Sequence, residues 1–155
     1  MSSKFIYVTY IRTTPKALWE ALLNPAFTKR YFFGVTMESA WKAGSPWKMV
    51  HPDGSITDSG EVLEIDPPNR LVLKWRNELP SMKHEGYTRC TFDISEYGGQ
   101  TKLQVVHEAE MDNSKTIAAV SGGWPQILSG LKTLLETGEV LDLDISADRA
   151  ARRSA

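Results

Sequence analysis

The sequence predicts an α+β fold, a curved antiparallel sheet covered on one side by a long C-terminal helix. Three observations carry this expectation. Between Phe5 and Ala109 seven short β-patterned runs follow one another, interrupted only by one early pair of helical segments. Turn residues separate those runs at short, regular intervals, as in an antiparallel meander. The chain then presents a single helical stripe, Ser114 to about Thr137, built around Gly122-Gly123-Trp124-Pro125. One helix laid across so much sheet need not fill the concavity behind it. The pattern therefore reads as a container and points to binding before any particular reaction.

The first strand, Lys4 to Arg12, is β-branched and aromatic, with Phe5, Tyr7, Thr9 and Ile11 on one side and Ile6, Val8 and Tyr10 on the other. Apolar residues on both sides predict cover on both. Thr14 then serves as N-cap and Pro15 opens a helix, where its missing N–H is no loss. Ala17, Leu18, Ala21 and Leu22 supply its buried stripe, and Asn24-Pro25 repeats the device for a second short helix ending near Tyr31-Phe32-Phe33 and broken by Gly34.

The later strands are Val35 to Trp41, Pro46 to His51, Ile56 to Ile65, Leu71 to Asn77, about Glu85 to Ser95, and about Thr101 to Ala109. Ala43-Gly44-Ser45, Pro52-Asp53-Gly54, Asp66-Pro67-Pro68-Asn69 and Gly98-Gly99 turn them, the glycines accepting the positive φ such turns require. Glu78 to His84 reads as a loop. Period-two alternation groups Leu71, Leu73 and Trp75; Cys90, Phe92 and Ile94; and Leu103, Val105 and His107. In the last helix Ile117, Val120, Trp124, Leu128, Leu131 and Leu135 form a stripe that can lie on the sheet. Pro125 within it predicts a kink near Gly122-Gly123, glycines that let the helix approach the sheet. Residues 1–138 read as one domain. Residues 139–155 read as an extension, polar and frayed at its end, or an extra strand in which Leu141, Leu143 and Ile145 alternate with Asp142 and Asp144.

With 155 residues, 41% hydrophobic and 24% charged, the chain can bury a real core. A formal net charge of −1 selects neither nucleic acid nor an anionic membrane. Cys90 is the only cysteine, so no internal disulfide forms, and no apolar run resembles a signal peptide or reaches bilayer-spanning length. A soluble cytoplasmic protein is the expectation.

Several landmarks taken together resemble a known family. They are Tyr10-Ile11 through Pro15; Leu18-Trp19-Glu20-Ala21-Leu22; Gly60-Glu61-Val62-Leu63-Glu64-Ile65-Asp66-Pro67-Pro68 with Arg70-Leu71 and Trp75; and Gly122-Gly123-Trp124 with Leu128, Leu131-Lys132 and Leu135-Glu136. In order and spacing they resemble the activator of heat shock protein 90 ATPase homologue family, within the START-related, Bet v-like superfamily called SRPBCC. The resemblance covers about Phe5 to Gly138. It implies a helix-grip fold, β-α-α-β6-α, with a space between sheet and helix that the superfamily uses for apolar molecules. It also implies, from the family's namesake, a possible chaperone partner and a link to stress response. No catalytic set carries over. Pro125 after the tryptophan departs from the family pattern.

The residues expected to border the enclosed space are Trp47, Met49, His51, Leu73, Trp75, Cys90, Phe92, Val105, His107, Val120, Trp124 and Leu128, each of which would otherwise simply fill the core. His107 lies on the apolar side of its strand, where a neutral imidazole offers one donor and one acceptor. It is first read as a buried histidine bonded to a neighbour, and second as a ligand contact. His51, His84 and His107 sit on separate elements without zinc-ligand spacing, so no metal is expected. Alternation puts Glu61 and Glu64 on opposite faces, which weakens them as a catalytic pair; with Glu108 and Glu110 they read as a solvated edge. Cys90 reads as a small core residue. No nucleophile elbow, phosphate loop or dinucleotide fingerprint occurs, so no cofactor is expected. Trp41, Lys42, Trp47 and Lys48 mix aromatic and basic character but lack the basic excess of a nucleic-acid site. The first functional expectation is non-enzymatic binding of a small hydrophobic molecule. The second is docking on a chaperone or other protein, and the third a cyclase- or hydrolase-like enzyme using His107.

Overall fold

The computed structural model describes residues 2–141. The alternating residues beyond Leu141, where an extra strand was one expectation, lie outside the described residues. Seven strands form one antiparallel sheet in the order β1-β7-β6-β5-β4-β3-β2. They are β1 (Ser3–Ile11), β2 (Thr36–Ser39), β3 (Pro46–Val50), β4 (Ile56–Asp66), β5 (Arg70–Asn77), β6 (Thr88–Tyr97) and β7 (Gln100–Ala109). The helices are α1 (Pro15–Leu23), α2 (Pro25–Tyr31), α3 (Pro80–Lys83) and α4 (Lys115–Thr137).

Local chemistry explains the early helices. Thr14 Oγ1 accepts from the Ala17 N–H at 3.1 Å and Asn24 Oδ1 from the Ala26 N–H at 2.9 Å, each side chain satisfying an orphan donor ahead of a proline. The stretch expected as a loop contains α3 instead, a single turn that Pro80 opens at its first position.

The inner face of the sheet is built as the alternation required. Leu71 lies opposite Phe92 and Phe92 opposite Val105, while Leu73 lies opposite Cys90 and Cys90 opposite His107. Helix α4 covers this face beside β1. Its start is tied to the first residue of β1, where the Ser114 N–H donates to Ser3 Oγ at 3.2 Å. Its end is tied beyond the last residue, where the Arg12 N–H donates to Glu136 at 2.8 Å. Glu85, on the loop after α3, accepts from Ser114 Oγ at 2.8 Å and from the N–H groups of Lys115 at 2.7 Å and Thr116 at 3.2 Å. Burial works to raise the pKa of this carboxyl, but the bonds outweigh it and hold the group below its ordinary range.

Two expectations are corrected. The outer side of β1 is not covered: Ile6, Val8 and Tyr10 are 55%, 40% and 42% exposed, because β1 is an edge strand and α4 lies only on the inner side. Helix α4, where a kink was expected near Gly122-Gly123, is one continuous element that runs through Pro125 between the buried anchors Trp124 and Ile127. Close approach falls on a different glycine. A Cβ on Gly123 would meet nothing within 4 Å, whereas one on Gly130 would touch Tyr31 Cβ at 3.5 Å.

Candidate functional site

Three tryptophans from three elements meet at the centre of the inner face. Trp47 of β3 packs on Trp75 of β5 with ring centroids 4.6 Å apart, and Trp75 meets Trp124 of α4 at 5.9 Å, edge to face. Phe92 and Phe32 stand edge-on to Trp124 at 5.7 and 5.9 Å. Between β3 and β5 lies β4, and Gly60 is what allows the first contact. Without a side chain there, the Trp47 indole lies across β4 and donates from Nε1 to the Lys74 carbonyl at 2.9 Å.

A continuous line of hydrogen bonds crosses this aromatic centre. Trp124 Nε1 donates to His107 Nδ1 at 3.2 Å. An indole N–H can only donate, so Nδ1 is the acceptor and the histidine proton sits on Nε2. Nε2 then donates to Thr88 Oγ1 at 2.7 Å, and the Thr88 hydroxyl donates to the Trp75 carbonyl at 3.0 Å. His107 is fully buried, and burial pushes its pKa down to about 3. Both ring nitrogens are committed to neighbours, which leaves the imidazole no lone pair or proton for a substrate.

This histidine makes stability depend on pH. In the unfolded chain it gains a proton near its ordinary pKa of about 6.5, while in the fold it stays neutral until about pH 3. Between those values the unfolded state binds more protons, so stability falls as pH falls, by up to about 1.4 kcal/mol per unit. Asp58 acts in the opposite sense. Burial raises its carboxyl pKa despite bonds from Trp75 Nε1 at 2.7 Å and Asn77 Nδ2 at 3.4 Å, so acidification favours the fold there. We expect urea-unfolding free energies of His107→Gln, measured between pH 6.5 and 4, to lose up to that much of the rise with pH that the parent chain shows. Parallel lines would show that His107 is not held neutral.

Of the residues named from sequence, Trp47, Met49, Leu73, Trp75, Cys90, Phe92, Val105, His107, Trp124 and Leu128 are all buried. Val120 flanks them, half-buried. His51 does not join them. The register shifts between Met49 and Val50, β3 ends, and His51 lies beyond it at a rim with Lys29 and Pro52, its Nε2 at 2.9 Å from Thr57 Oγ1. Burial drives the Cys90 thiol pKa well up, in keeping with a core residue. Sequence reasoning missed Asp58, although 58, 60 and 62 share one side of β4 and the buried Val62 marks that side as inner. It also missed Phe32, Met37 and Ile127, which complete the apolar lining. Glu61 and Glu64 are corrected too. A bulge sets them opposite Lys74 and Val72, residues of one face, and the Glu64 carboxylate meets Arg70 at 3.2 Å.

The hollow expected under α4 is almost closed. Among the described residues the void there, bordered by Leu22, Phe32, Met37, Phe92, Trp124 and Ile127, measures about 10 Å³. That is room for one water, against several hundred Å³ for ligand pockets of drug size. A larger space of about 850 Å³ lies open across β2 to β5, beside α3. Glu38 lies opposite Lys48 and Lys48 opposite Ser59 on its floor, one residue out of step with the buried Met37, Met49 and Asp58. This polar floor therefore belongs to the outer face. Glu78 holds Arg76 and Lys83 there, both at 3.2 Å. Among the described residues no group of three or more His, Cys, Asp or Glu could hold a metal, and no helix is long and apolar enough to cross a membrane.

Comparison with known proteins places this arrangement. The family model described as "Activator of Hsp90 ATPase homolog 1-like protein" matches residues 12–136. Similar solved structures include the Aha1 dimer from Colwellia psychrerythraea, with a TM-score of 0.72 and 19% identity over 88% of this chain and 98% of that one. Protein MLL2253 from Mesorhizobium loti aligns with a TM-score of 0.72 and 20% identity over 86% and 96% of the two chains. CalU16 from Micromonospora echinospora aligns with a TM-score of 0.70 and 19% identity over 97% and 85%. At such identities these structures share the fold alone. No curated protein sequence is a significant match.

Proposed function

The chain belongs to the activator of Hsp90 ATPase homolog 1-like family, and from that premise we propose that it acts as a non-enzymatic protein-interaction module docking on a chaperone of the Hsp90 class. The observation that favours this reading is the filled interior. With about 10 Å³ left beneath α4, the surface rather than the core is what the folded chain offers to a partner. The charged outer groove, where Lys48, Arg76 and Lys83 alternate with Glu38 and Glu78, is the contact surface in this reading. Charges so arranged select orientation and partner more than raw affinity.

The test is steady-state ATP turnover by a purified Hsp90-class chaperone. Stoichiometric addition of the chain is expected to raise it several-fold, and Arg76→Glu with Lys83→Glu to abolish most of the rise. Unchanged turnover together with no complex on gel filtration would sink the reading.

A second reading keeps the small hydrophobic ligand. It is supported by the apolar border of the residual void, where the rings of Phe32 and Trp124 stand between α2 and the sheet and would have to swing aside. An apolar probe that raises the melting temperature of the chain supports that reading; a melt indifferent to the probe leaves docking alone.

A further inference from the structure

Two cations face each other on the outer side of the sheet with no carboxylate between them. Alternation puts Lys74 and Arg76 of β5 and Arg89 of β6 on that side, out of step with the buried Leu73, Trp75 and Cys90. The register runs Glu61, Lys74, Arg89, Glu108 across β4 to β7, so Lys74 lies directly opposite Arg89. Like charges so placed cost stability. Both residues are exposed, and among the described residues neither forms an ion pair with Glu61, Glu108 or any other carboxylate.

Tyr87 orders these cations without neutralising them. Its ring, 44% exposed just before β6, lies under Lys74 Nζ at 4.5 Å and under the Arg76 guanidinium carbon at 4.8 Å from the centroid. Arg76 is only partly engaged. Glu78 accepts from its Nε at 3.2 Å and its Nη2 at 3.5 Å, which leaves both N–H groups of Nη1 for another acceptor.

The spacing defines what fits. Lys74 and Arg76 lie two residues apart along one face, about 6.8 Å. An extended peptide repeats its side chains on one face at the same interval, so carboxylates at alternate positions would meet the Lys74–Arg89 pair and Arg76 in turn. A phosphate backbone fits less well. Glu38, Glu61, Glu78 and Glu108 border the cations and oppose a continuous run of negative charge, and the chain's formal net charge is −1.

We propose that the outer face at Lys74, Arg76, Tyr87 and Arg89 is the docking site for an acidic, extended segment of a protein partner, with Asp or Glu at every second position. The site shares Arg76 with the charged groove and rests on the chaperone reading only for the partner's identity.

The test uses the full chain and a capped peptide in which glutamate alternates with serine, all at one ionic strength. The peptide is expected to shift the amide resonances of Lys74, Tyr87 and Arg89 in isotope-labelled chain. Lys74→Ala with Arg89→Ala, both at exposed positions, is expected to weaken its binding about tenfold. Resonances that stay in place, or equal binding of the same peptide with glutamine for glutamate, would overturn the proposal. Inorganic phosphate that competes as well as the peptide would reduce the face to a small-anion site, and an oligothymidylate of equal charge that binds more tightly would assign it to nucleic acid; either result overturns the proposal. The chaperone assay separates this inference from the docking reading. A Lys74→Ala, Arg89→Ala chain that stimulates ATP turnover as the parent does would overturn the inference and leave docking intact, whereas a parent chain that binds the peptide but not the chaperone would remove the docking reading and support the site.

Discussion

Replacing Trp124 by alanine is expected to lower the unfolding free energy by about 3–5 kcal/mol, measured by urea titration with both variants at the same pH. Two losses combine in that figure. The ring is 3% exposed and packs against Phe32, Trp75 and Phe92, so its removal leaves a cavity walled by stiff aromatic groups that cannot collapse into it. The indole N–H is also the donor to His107 Nδ1, which would become a buried acceptor without a partner. Trp124→Phe separates the two, keeping most of the volume while deleting the donor, and should cost about 1–3 kcal/mol. A loss below about 1 kcal/mol for the alanine variant would show that α4 is held to the sheet by its other anchors, and that the aromatic centre is not what closes the interior.

The second large effect comes from adding one methyl group. A Cβ on Gly60 would lie 1.7 Å from the Lys74 carbonyl oxygen and 3.0 Å from Trp47 Nε1. The first obstacle is backbone, so β4 or β5 must move, and the Trp47–Lys74 bond is lost with the movement. Gly60→Ala is therefore expected to destabilise by about 3 kcal/mol or more, at the upper end of what overpacking costs. Gly123→Ala is the internal control. Nothing lies within 4 Å of its Cβ and the position is helical, so alanine there should stabilise by about 0.5–1 kcal/mol. Thermal melts of the two variants should move in opposite directions. A Gly60→Ala chain that melts with the parent would mean Trp47 does not lie across β4.

Much of the fold was legible because its signals are local. Thr14-Pro15 and Asn24-Pro25 start helices by satisfying their own first N–H groups, and Gly98-Gly99 turns β6 into β7 with φ of 58° and 84°, whatever the rest of the chain does. Alternation along β5, β6 and β7 was equally readable, since a strand with one buried face must place its apolar residues at every second position. Where a strand departs from strict period two, that logic failed. β3 ends at Val50, so His51 falls in the turn and outside the aromatic set, and the bulge at Val62 to Glu64 brought two glutamates to one face. A bulge is decided by cross-strand fit, which one strand's sequence does not contain.

By itself the sequence determined the order of the seven strands and of α1, α2 and α4, which residues of β5 to β7 share the inner face, and that Trp124 belongs to the helix stripe. Each of these depends on a repeat of two or 3.6 residues, or on a cap within three residues. Only the tertiary structure decided whether a hollow survives beneath α4, which face of β1 stays bare, and where the proton on His107 resides. These depend on how side chains from β3, β5, β7, α2 and α4 fill one volume, and on donors that come together only when elements far apart in the chain close on one another.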